Sequence, residues 1–230
     1  MQLLDGKTIA AQVRAEVRAA TEALRTAGQR APRLVIVLAG DNPASEIYVG
    51  NKLRAAGEAG IEAECVRICG TAGTADVLRE VERLNADETV DGIVVQLPLP
   101  AQMDAKRVTA AIDSRKDVDR TVEKRSVEEL LHRSGVDKEG REVVVTERNI
   151  PGSLTGEMVP EGAIVIDRGF TRIDDPAAEK GYRIVGDADV ESVRRKAAWL
   201  SPVPGGIGPM LIAVLLQNVL ESRKRQRVTR

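Results

Sequence analysis

The apolar residues in the first half of the chain follow helical and strand periods in turn. Ile9, Val13 and Val17 recur at helical spacing and predict a first helix over residues 6–27. An unbroken apolar run predicts a buried strand over residues 33–39. Further elements then alternate along the chain: strands over 63–68 and 92–95, and helices over 45–59, 74–85 and 105–112. This alternation predicts a parallel sheet with helices on both faces.

The second half carries fewer apolar segments. They predict strands over 142–146, 163–167 and 182–185 and helices over 127–133, 189–197 and 210–220. The segment between Val145 and Ala163 has no helical period, so the second half has too few strands for a doubly wound sheet. An exposed sheet edge near Val143 to Val145 must then be covered, which predicts a homo-oligomer.

A polar loop over residues 113–120 separates the two halves of the chain. We place a domain boundary near Arg120–Ser126, because a run of charged residues is typical of a surface connection. Residues 1–122 are therefore expected to form one α/β domain, joined by a C-terminal helix over residues 205–222. Residues 123–204 are expected to form a second, smaller domain.

Composition excludes several classes of function. The 34 Lys and Arg residues nearly balance the 35 Asp and Glu residues, which argues against nucleic acid as a partner. No apolar run reaches the ~20 residues that span a bilayer, and the N-terminus lacks a signal-peptide layout, so we expect a cytoplasmic protein without a membrane partner. Cys65 and Cys69 with a single histidine are poor metal ligands, so we expect two reduced thiols and no metal.

One glutamine stands at the end of a predicted strand. Gln96 follows the buried run over residues 92–95, and Pro98 and Pro100 prevent the strand from continuing. Open α/β sheets build their ligand sites at the carboxyl ends of strands, so Gln96 is a candidate ligand contact. The alternative is a strand that simply ends in a proline-rich turn.

Tyr48 and Lys52 are spaced by one helical turn. On a helix they share one face, and burial can lower the pKa of a lysine until it serves as an acid or base. The alternative is a lysine stem packed over a tyrosine ring on a wet face. The same spacing occurs in short-chain dehydrogenases, but the first strand here lacks the glycine-rich turn that their cofactor needs.

Two further segments could contact a ligand. Asp117 and Asp119 place two carboxylates in a loop, where they could bind a ring N–H and an amine, or form a polar turn; a metal is the weakest option, since few further oxygen ligands lie nearby. The run Pro202–Pro209 is rich in Gly and Pro and leads into a helix. Its glycines permit close backbone approach to a ligand, whereas a plain helix-entry turn is the alternative.

Taken in order, several segments resemble the bifunctional methylenetetrahydrofolate dehydrogenase/methenyltetrahydrofolate cyclohydrolase family. The matching segments are Asn42–Ser45 with Tyr48 and Lys52, Asp91–Pro100, Lys116–Asp119, Gly162–Asp167, Val185–Asp187 and Pro202–Met210. The resemblance is dense over residues 1–119 and 160–220. It implies a parallel-sheet catalytic domain closed by the C-terminal helix, followed by a Rossmann-like domain that is truncated here.

The resemblance also implies roles for individual residues. Lys52 would transfer the proton, Gln96 would hydrogen-bond to Lys52 and tune it, and Tyr48 would stack near the pterin. Asp119 would grip the ring N–H and amino group of the pterin. The remaining substrate contacts would come from the floor of the pocket and from the glycine–proline loop, which would close over the folate: Leu97, Pro98, Pro204, Gly205, Gly206 and Pro209.

The chain departs from this family in its second domain. The family's glycine-rich phosphate turn is replaced by Val145–Gly152, where Glu147 adds a negative charge and Pro151 removes an amide donor. The helix and two strands that complete the family's nucleotide-binding sheet have no counterpart here. These departures make an NADP site doubtful.

We therefore expect a tetrahydrofolate-dependent one-carbon enzyme whose chemistry does not need NADP. That chemistry would be cyclohydrolase activity or transfer of a methylene carbon from methylenetetrahydrofolate to a second small-molecule acceptor. The first alternative is the ordinary NADP-dependent dehydrogenase/cyclohydrolase. The second alternative is a non-catalytic subunit that binds a partner through residues 141–185.

Overall fold

The computed structural model describes residues 1–179 and 181–228. The helices are α1 Gly6–Thr26, α2 Pro43–Glu58, α3 Thr74–Ala86, α4 Ala105–Ala110, α5 Val122–Arg133, α6 Val190–Val193 and α7 Ile207–Val228. The strands are β1 Gln2–Leu3, β2 Arg33–Ala39, β3 Glu62–Ile68, β4 Gly92–Val95, β5 Val143–Thr146, β6 Ile164–Asp167, β7 Thr171–Asp174, β8 Tyr182–Val185 and β9 Trp199–Ser201. The predicted α/β class with parallel sheets is confirmed.

The described chain divides into two compact units. One unit contains residues 1–12, 123–179 and 181–211, and the other contains residues 13–122 and 212–228. The first residues group with the second half of the chain because β1 pairs with β9, in the register Gln2 to Trp199.

The unit of residues 13–122 is built on a parallel sheet with the order β3-β2-β4. Strand β2 lies in the centre, and its side chains from Leu34 to Ala39 are all buried, as an unbroken apolar run requires. Gly92 begins β4 in a tight place, because a Cβ there would lie 3.1 Å from side-chain atoms of both Val118 and Val219. This close approach lets α7 pack against the sheet.

The unit that contains residues 123–211 has a four-stranded parallel sheet with the order β1-β9-β6-β5 and a separate antiparallel hairpin of β7 and β8. Neighbouring β5 and β6 run parallel although their connection contains only the 3-10 turn Gly156–Met158. Strand β5 lies at one edge of the sheet, as the lack of a helical period after Val145 predicts.

Hydrophobic periodicity does not predict several of the short elements correctly. Strands β1, β7 and β9 are too short or too polar to show a period. The helix predicted over residues 189–197 ends at Val193. The residues after Val193 instead bond to the residues that precede β6. The Lys196 carbonyl accepts the Gly162 amide, and the Ala198 amide donates to the Ala163 carbonyl.

The described residues contain neither a candidate membrane-spanning helix nor a candidate metal-binding cluster. None of the helices within residues 1–179 and 181–228 is long and apolar enough to cross a membrane. The same residues hold no group of three or more His, Cys, Asp or Glu side chains that could bind a metal ion.

Candidate active site

A lysine amine and a glutamine amide meet between α2 and the end of β4. Lys52 Nζ donates a hydrogen bond to Gln96 Oε1 at 3.0 Å. The start of α2 is fixed by Asn42, whose side-chain oxygen accepts the backbone amides of Ala44 and Ser45. This cap sets the register of the helix and therefore the face on which Lys52 lies.

Gln96 is held in one orientation by its own neighbours. Its backbone amide donates to the Val37 carbonyl at 2.9 Å, which extends the ladder of β2 and β4 by one residue. Its side-chain Nε2 donates to the Leu97 carbonyl at 2.7 Å. Because Nε2 is engaged there, Oε1 is the atom that faces Lys52, and the Gln96 side chain is 8% exposed. The strand tip therefore presents an acceptor to the amine.

The environment of Lys52 favours a neutral amine more than water does. Burial lowers the pKa of Lys52, and the carboxylate of Asp119 opposes this shift through its charge. The amine has a neutral amide as its hydrogen-bond partner in Gln96, which compensates a buried ammonium less than a carboxylate would. The lowered pKa makes this amine a better proton acceptor at a given pH than an exposed lysine.

Tyr48 lies one turn before Lys52 on α2, and its side chain is 47% exposed. An exposed ring beside a half-buried amine is available to stack on a flat ligand. The stacking role of Tyr48 stays a prediction.

Asp117 and Asp119 lie in the same loop, but their carboxylates have different surroundings. Asp117 accepts the Arg120 amide at 3.1 Å and also pairs with the Arg120 side chain at 3.7 Å, so it is engaged in the turn. Asp119 is exposed, and its charge acts on Lys52. Of the two, Asp119 is the one whose charge reaches the candidate site.

Two residues that support this loop were not recognised in the sequence. The ammonium of buried Lys116 donates to the carbonyls of Leu84, Asn85 and Asp87 at 2.9, 2.7 and 2.7 Å, at the carboxyl end of α3. Asn218 on α7 donates to the Val118 carbonyl at 2.7 Å. No periodic pattern in the sequence marks either residue, because each bonds to carbonyls of a distant segment.

The predicted floor of the pocket is exposed where β4 ends. Leu97 and Pro98 follow Gln96 with exposed side chains, and the peptide bond between them is cis. The two residues lie in the same unit as Lys52 and Gln96. Their contact with a folate stays a prediction.

The glycine–proline loop has a structural role of its own. Gly206 donates to the Pro202 carbonyl at 2.8 Å, and Ile207 donates to the Ser201 hydroxyl at 2.9 Å. A Cβ on Gly6 would lie 1.8 Å from the Gly206 carbonyl oxygen, so α1 and this loop touch backbone to backbone. Pro204, Gly205, Gly206 and Pro209 belong to the other unit, and their predicted role in substrate binding stays a prediction.

Family models match both parts of this architecture. The model described as tetrahydrofolate dehydrogenase/cyclohydrolase, catalytic domain, matches residues 4–119, and the model of the NAD(P)-binding domain of the same family matches residues 139–227. The chain belongs to this family. The resemblance stated from the sequence is thus confirmed, and the chain is a folate-dependent one-carbon enzyme.

Individual members of the tetrahydrofolate dehydrogenase/cyclohydrolase family are similar over the whole chain. Bifunctional protein FolD of Moorella thermoacetica is 36% identical over 97% of this chain and 99% of its own length. The bifunctional FolD enzyme of Campylobacter jejuni has a structure with a TM-score of 0.86 at 30% identity, covering 98% of this chain and 99% of that one. The Trypanosoma brucei enzyme, solved with NADP and an inhibitor, has a TM-score of 0.83 at 30% identity, covering 96% of each chain.

These comparisons oppose the doubt about NADP. Residues 139–227 match the family's NAD(P)-binding domain, and the similar Trypanosoma brucei structure was solved with NADP. The same comparisons reveal a shortened chain. The alignment with the FolD protein of Flavobacterium psychrophilum, 33% identical over 99% of both chains, extends over 292 positions, whereas this chain has 230 residues. Many positions of that relative therefore have no counterpart here.

The turn after β5 does not fit a pyrophosphate as it stands. The backbone amides of Arg148 and Ile150 both donate to the Asp187 carboxylate, at 2.6 and 2.9 Å, and the Thr146 hydroxyl donates to it at 2.9 Å. These donors already serve an anion that belongs to the protein. The turn also leads into only the three-residue 3-10 turn Gly156–Met158, so it lacks the helix N-terminus that usually holds a phosphate.

Asp187 is therefore expected to stabilise the second sheet. It is fully buried, and in Asp187→Asn an amide NH₂ would face backbone N–H groups that now donate to a carboxylate. We expect a loss of about 1–3 kcal/mol in the free energy of unfolding, measured by urea denaturation. Asp189→Asn is the matched control, since the exposed Asp189 side chain makes no capping hydrogen bond. Equal stability of the two variants would contradict this role.

Proposed function

We propose that this chain is a methylenetetrahydrofolate dehydrogenase/cyclohydrolase in which Lys52 transfers the proton. The observation that carries the proposal is the hydrogen bond of 3.0 Å between Lys52 Nζ and Gln96 Oε1. It ties an amine with a lowered pKa to the carboxyl end of β4, within a chain that matches this family over both of its domains.

The cyclohydrolase reaction can be written with the residues of this chain. Water attacks the bridging carbon of methenyltetrahydrofolate, and Lys52 takes a proton from the water as the new C–O bond forms. Lys52 returns this proton to the pterin nitrogen as the C–N bond breaks, the remaining hydroxyl proton passes to solvent, and the product is formyltetrahydrofolate. Gln96 holds the amine toward the reacting carbon without adding a charge that would keep it protonated.

The dehydrogenase reaction would transfer a hydride from the bridging carbon of methylenetetrahydrofolate to a bound nicotinamide. Support for this half of the proposal comes from the family match of residues 139–227 and from the full-length similarity to bifunctional relatives. The turn after β5 offers no support for it, because its amides are engaged by Asp187.

A second candidate function is cyclohydrolase activity without a nicotinamide cofactor. The engaged amides of Arg148 and Ile150 and the missing helix after β5 favour it specifically. Methylene transfer to a second acceptor, the other chemistry expected from the sequence, has no such observation in its favour.

Two assays on the purified full-length chain test the proposal and separate the candidates. Hydrolysis of methenyltetrahydrofolate without any nucleotide and NADP-dependent oxidation of methylenetetrahydrofolate are measured side by side. Both activities together support the proposal. Hydrolysis alone supports the second candidate. The absence of both, with no heat of binding for a folate analogue in calorimetry, overturns the family function for this chain.

Asp119 is expected to act mainly on substrate affinity. A carboxylate that accepts two hydrogen bonds from the pterin would contribute charge-assisted bonds, so Asp119→Asn should raise the KM for methenyltetrahydrofolate on the order of 10- to 100-fold. Asp113→Asn serves as the control, since Asp113 is engaged locally with Arg115. An unchanged KM with a lower kcat would instead assign Asp119 to the control of Lys52.

A further inference from the structure

One side chain of α7 holds the loop on both sides of Asp119. Asn218 Nδ2 donates to the Val118 carbonyl at 2.7 Å and to the Thr121 hydroxyl at 3.3 Å. These two acceptors lie one residue before and two residues after Asp119. Asn218 is only 4% exposed, and a buried amide of this kind is costly to leave without its hydrogen bonds. A single buried amide therefore brackets the carboxylate whose charge reaches the candidate site.

The main chain of the loop is attached at two further points. The Lys116 carbonyl accepts the Ile93 amide at 2.8 Å, which joins the beginning of the loop to β4. The Asp119 carbonyl accepts the Val122 amide at 3.0 Å, where α5 begins. The side chain of Asp119 is exposed, so the backbone around it sets the direction in which the carboxylate points. Asn218 contacts the loop between these two points of attachment.

The helix that carries Asn218 packs closely on the same loop. A Cβ on Gly92 would lie 3.1 Å from side-chain atoms of both Val118 and Val219, so these two valines meet over the glycine. Val219 directly follows Asn218 on α7, and both valines are buried. Close packing of this kind resists displacement of the helix along the sheet. Asn218 therefore presents its amide to the loop from a fixed position.

We propose that Asn218 is a positioning residue for substrate binding, which holds the backbone around Asp119 so that its carboxylate points at the pterin of the bound folate. The inference rests on the proposed function, in which Asp119 accepts hydrogen bonds from the pterin. Asn218 acts through Asp119, because its own amide is buried and already donates to two groups of the protein. Asn218 and Asp119 lie in the same unit as Lys52 and Gln96.

A double-mutant cycle distinguishes positioning from a purely structural role. Asn218→Leu keeps the approximate size of the side chain and removes both donors. It should raise the KM for methenyltetrahydrofolate about tenfold, whereas kcat should change less than about twofold. In an Asp119→Ala background the same change should raise KM by less than about twofold, since the group that Asn218 positions is then gone. Equal factors in the two backgrounds, or a lower kcat at unchanged KM, overturn the proposal.

Thr121→Val tests the same contact from an exposed position, where the fold tolerates the change. The variant keeps the shape of the side chain but removes the hydroxyl that accepts from Asn218. It should raise KM about two- to threefold, and this increase should disappear in an Asn218→Leu background. If circular dichroism shows that Asn218→Leu does not fold, an unchanged KM in Thr121→Val overturns the proposal by itself.

Ser222→Ala is the matched control on α7, one turn beyond Asn218. Ser222 Oγ is buried and lies 2.6 Å from the carbonyls of Asp91 and Arg115. Its loss should lower the free energy of unfolding in urea and leave KM unchanged. A rise in KM equal to that in Asn218→Leu would assign the effect to a loosened helix and overturn the proposal. An unchanged KM in Asn218→Leu beside a raised KM in Asp119→Ala would overturn the positioning role alone and leave the proposed function standing.

Discussion

Replacing Lys52 with methionine is expected to abolish cyclohydrolase activity while leaving the fold intact. General acid–base catalysis contributes on the order of 10²–10⁴ in rate, so kcat for methenyltetrahydrofolate hydrolysis should fall by about that factor. Methionine retains an unbranched apolar stem, and it removes an amine whose charged form is disfavoured by burial. The free energy of unfolding should therefore stay the same or rise.

The matched control for this change is Lys106→Met, which removes an exposed lysine in the same unit. Calorimetry with a folate analogue separates binding from chemistry. Full activity in Lys52→Met would contradict the proposed role and would revive the interpretation of the chain as a non-catalytic subunit. Loss of folate binding together with activity would make Lys52 a binding residue instead.

The sequence predicts the core of the candidate site because its determinants are local. The apolar run ending at Gln96 predicts the end of a strand, and helical spacing predicts that Tyr48 and Lys52 share a face of α2. Both elements appear with nearly the predicted bounds. The contact between Lys52 and Gln96 joins residues far apart in the chain, and only the resemblance to a family implied it before the structure showed the bond.

The supporting residues could not be predicted in this way. Lys116 can be buried because its ammonium donates to three carbonyls at the end of α3. No local sequence pattern predicts these contacts. Asp187 likewise gathers donors from a turn that lies far upstream in the sequence. Contacts of this kind depend on tertiary packing, which periodicity does not encode.

The second domain gives one prediction that the structure confirms and one that the comparisons oppose. The missing helical period after Val145 correctly predicts an edge strand and a shortened sheet. Doubt about NADP was drawn from the same departure, and the match of residues 139–227 to an NAD(P)-binding domain opposes it. The turn after β5 would supply only one of the contacts to a dinucleotide, whereas the family model matches residues 139–227 as a whole.

Gln96→Glu is expected to move the activity of the enzyme to higher pH. The substitution keeps the shape of the side chain but places a carboxylate about where Oε1 now lies, 3.0 Å from Lys52 Nζ. An adjacent negative charge favours the ammonium and therefore raises the pKa of Lys52, against the effect of burial. Since the neutral amine is the base, activity at neutral pH should fall about tenfold for each unit of that rise.

The pH profile distinguishes this electrostatic effect from simple damage to the site. In the wild type, kcat/KM for methenyltetrahydrofolate should rise with pH and level off above the lowered pKa of Lys52. In Gln96→Glu the same plateau should be reached only at higher pH, so raising the pH should restore activity. Gln96→Met loses the bonds to Lys52 and to the Leu97 carbonyl without adding a charge. Its activity should fall with no shift of the profile to higher pH, because nothing in that variant stabilises the ammonium. A profile in Gln96→Glu that coincides with the wild type would mean that Lys52 is not the titrating base.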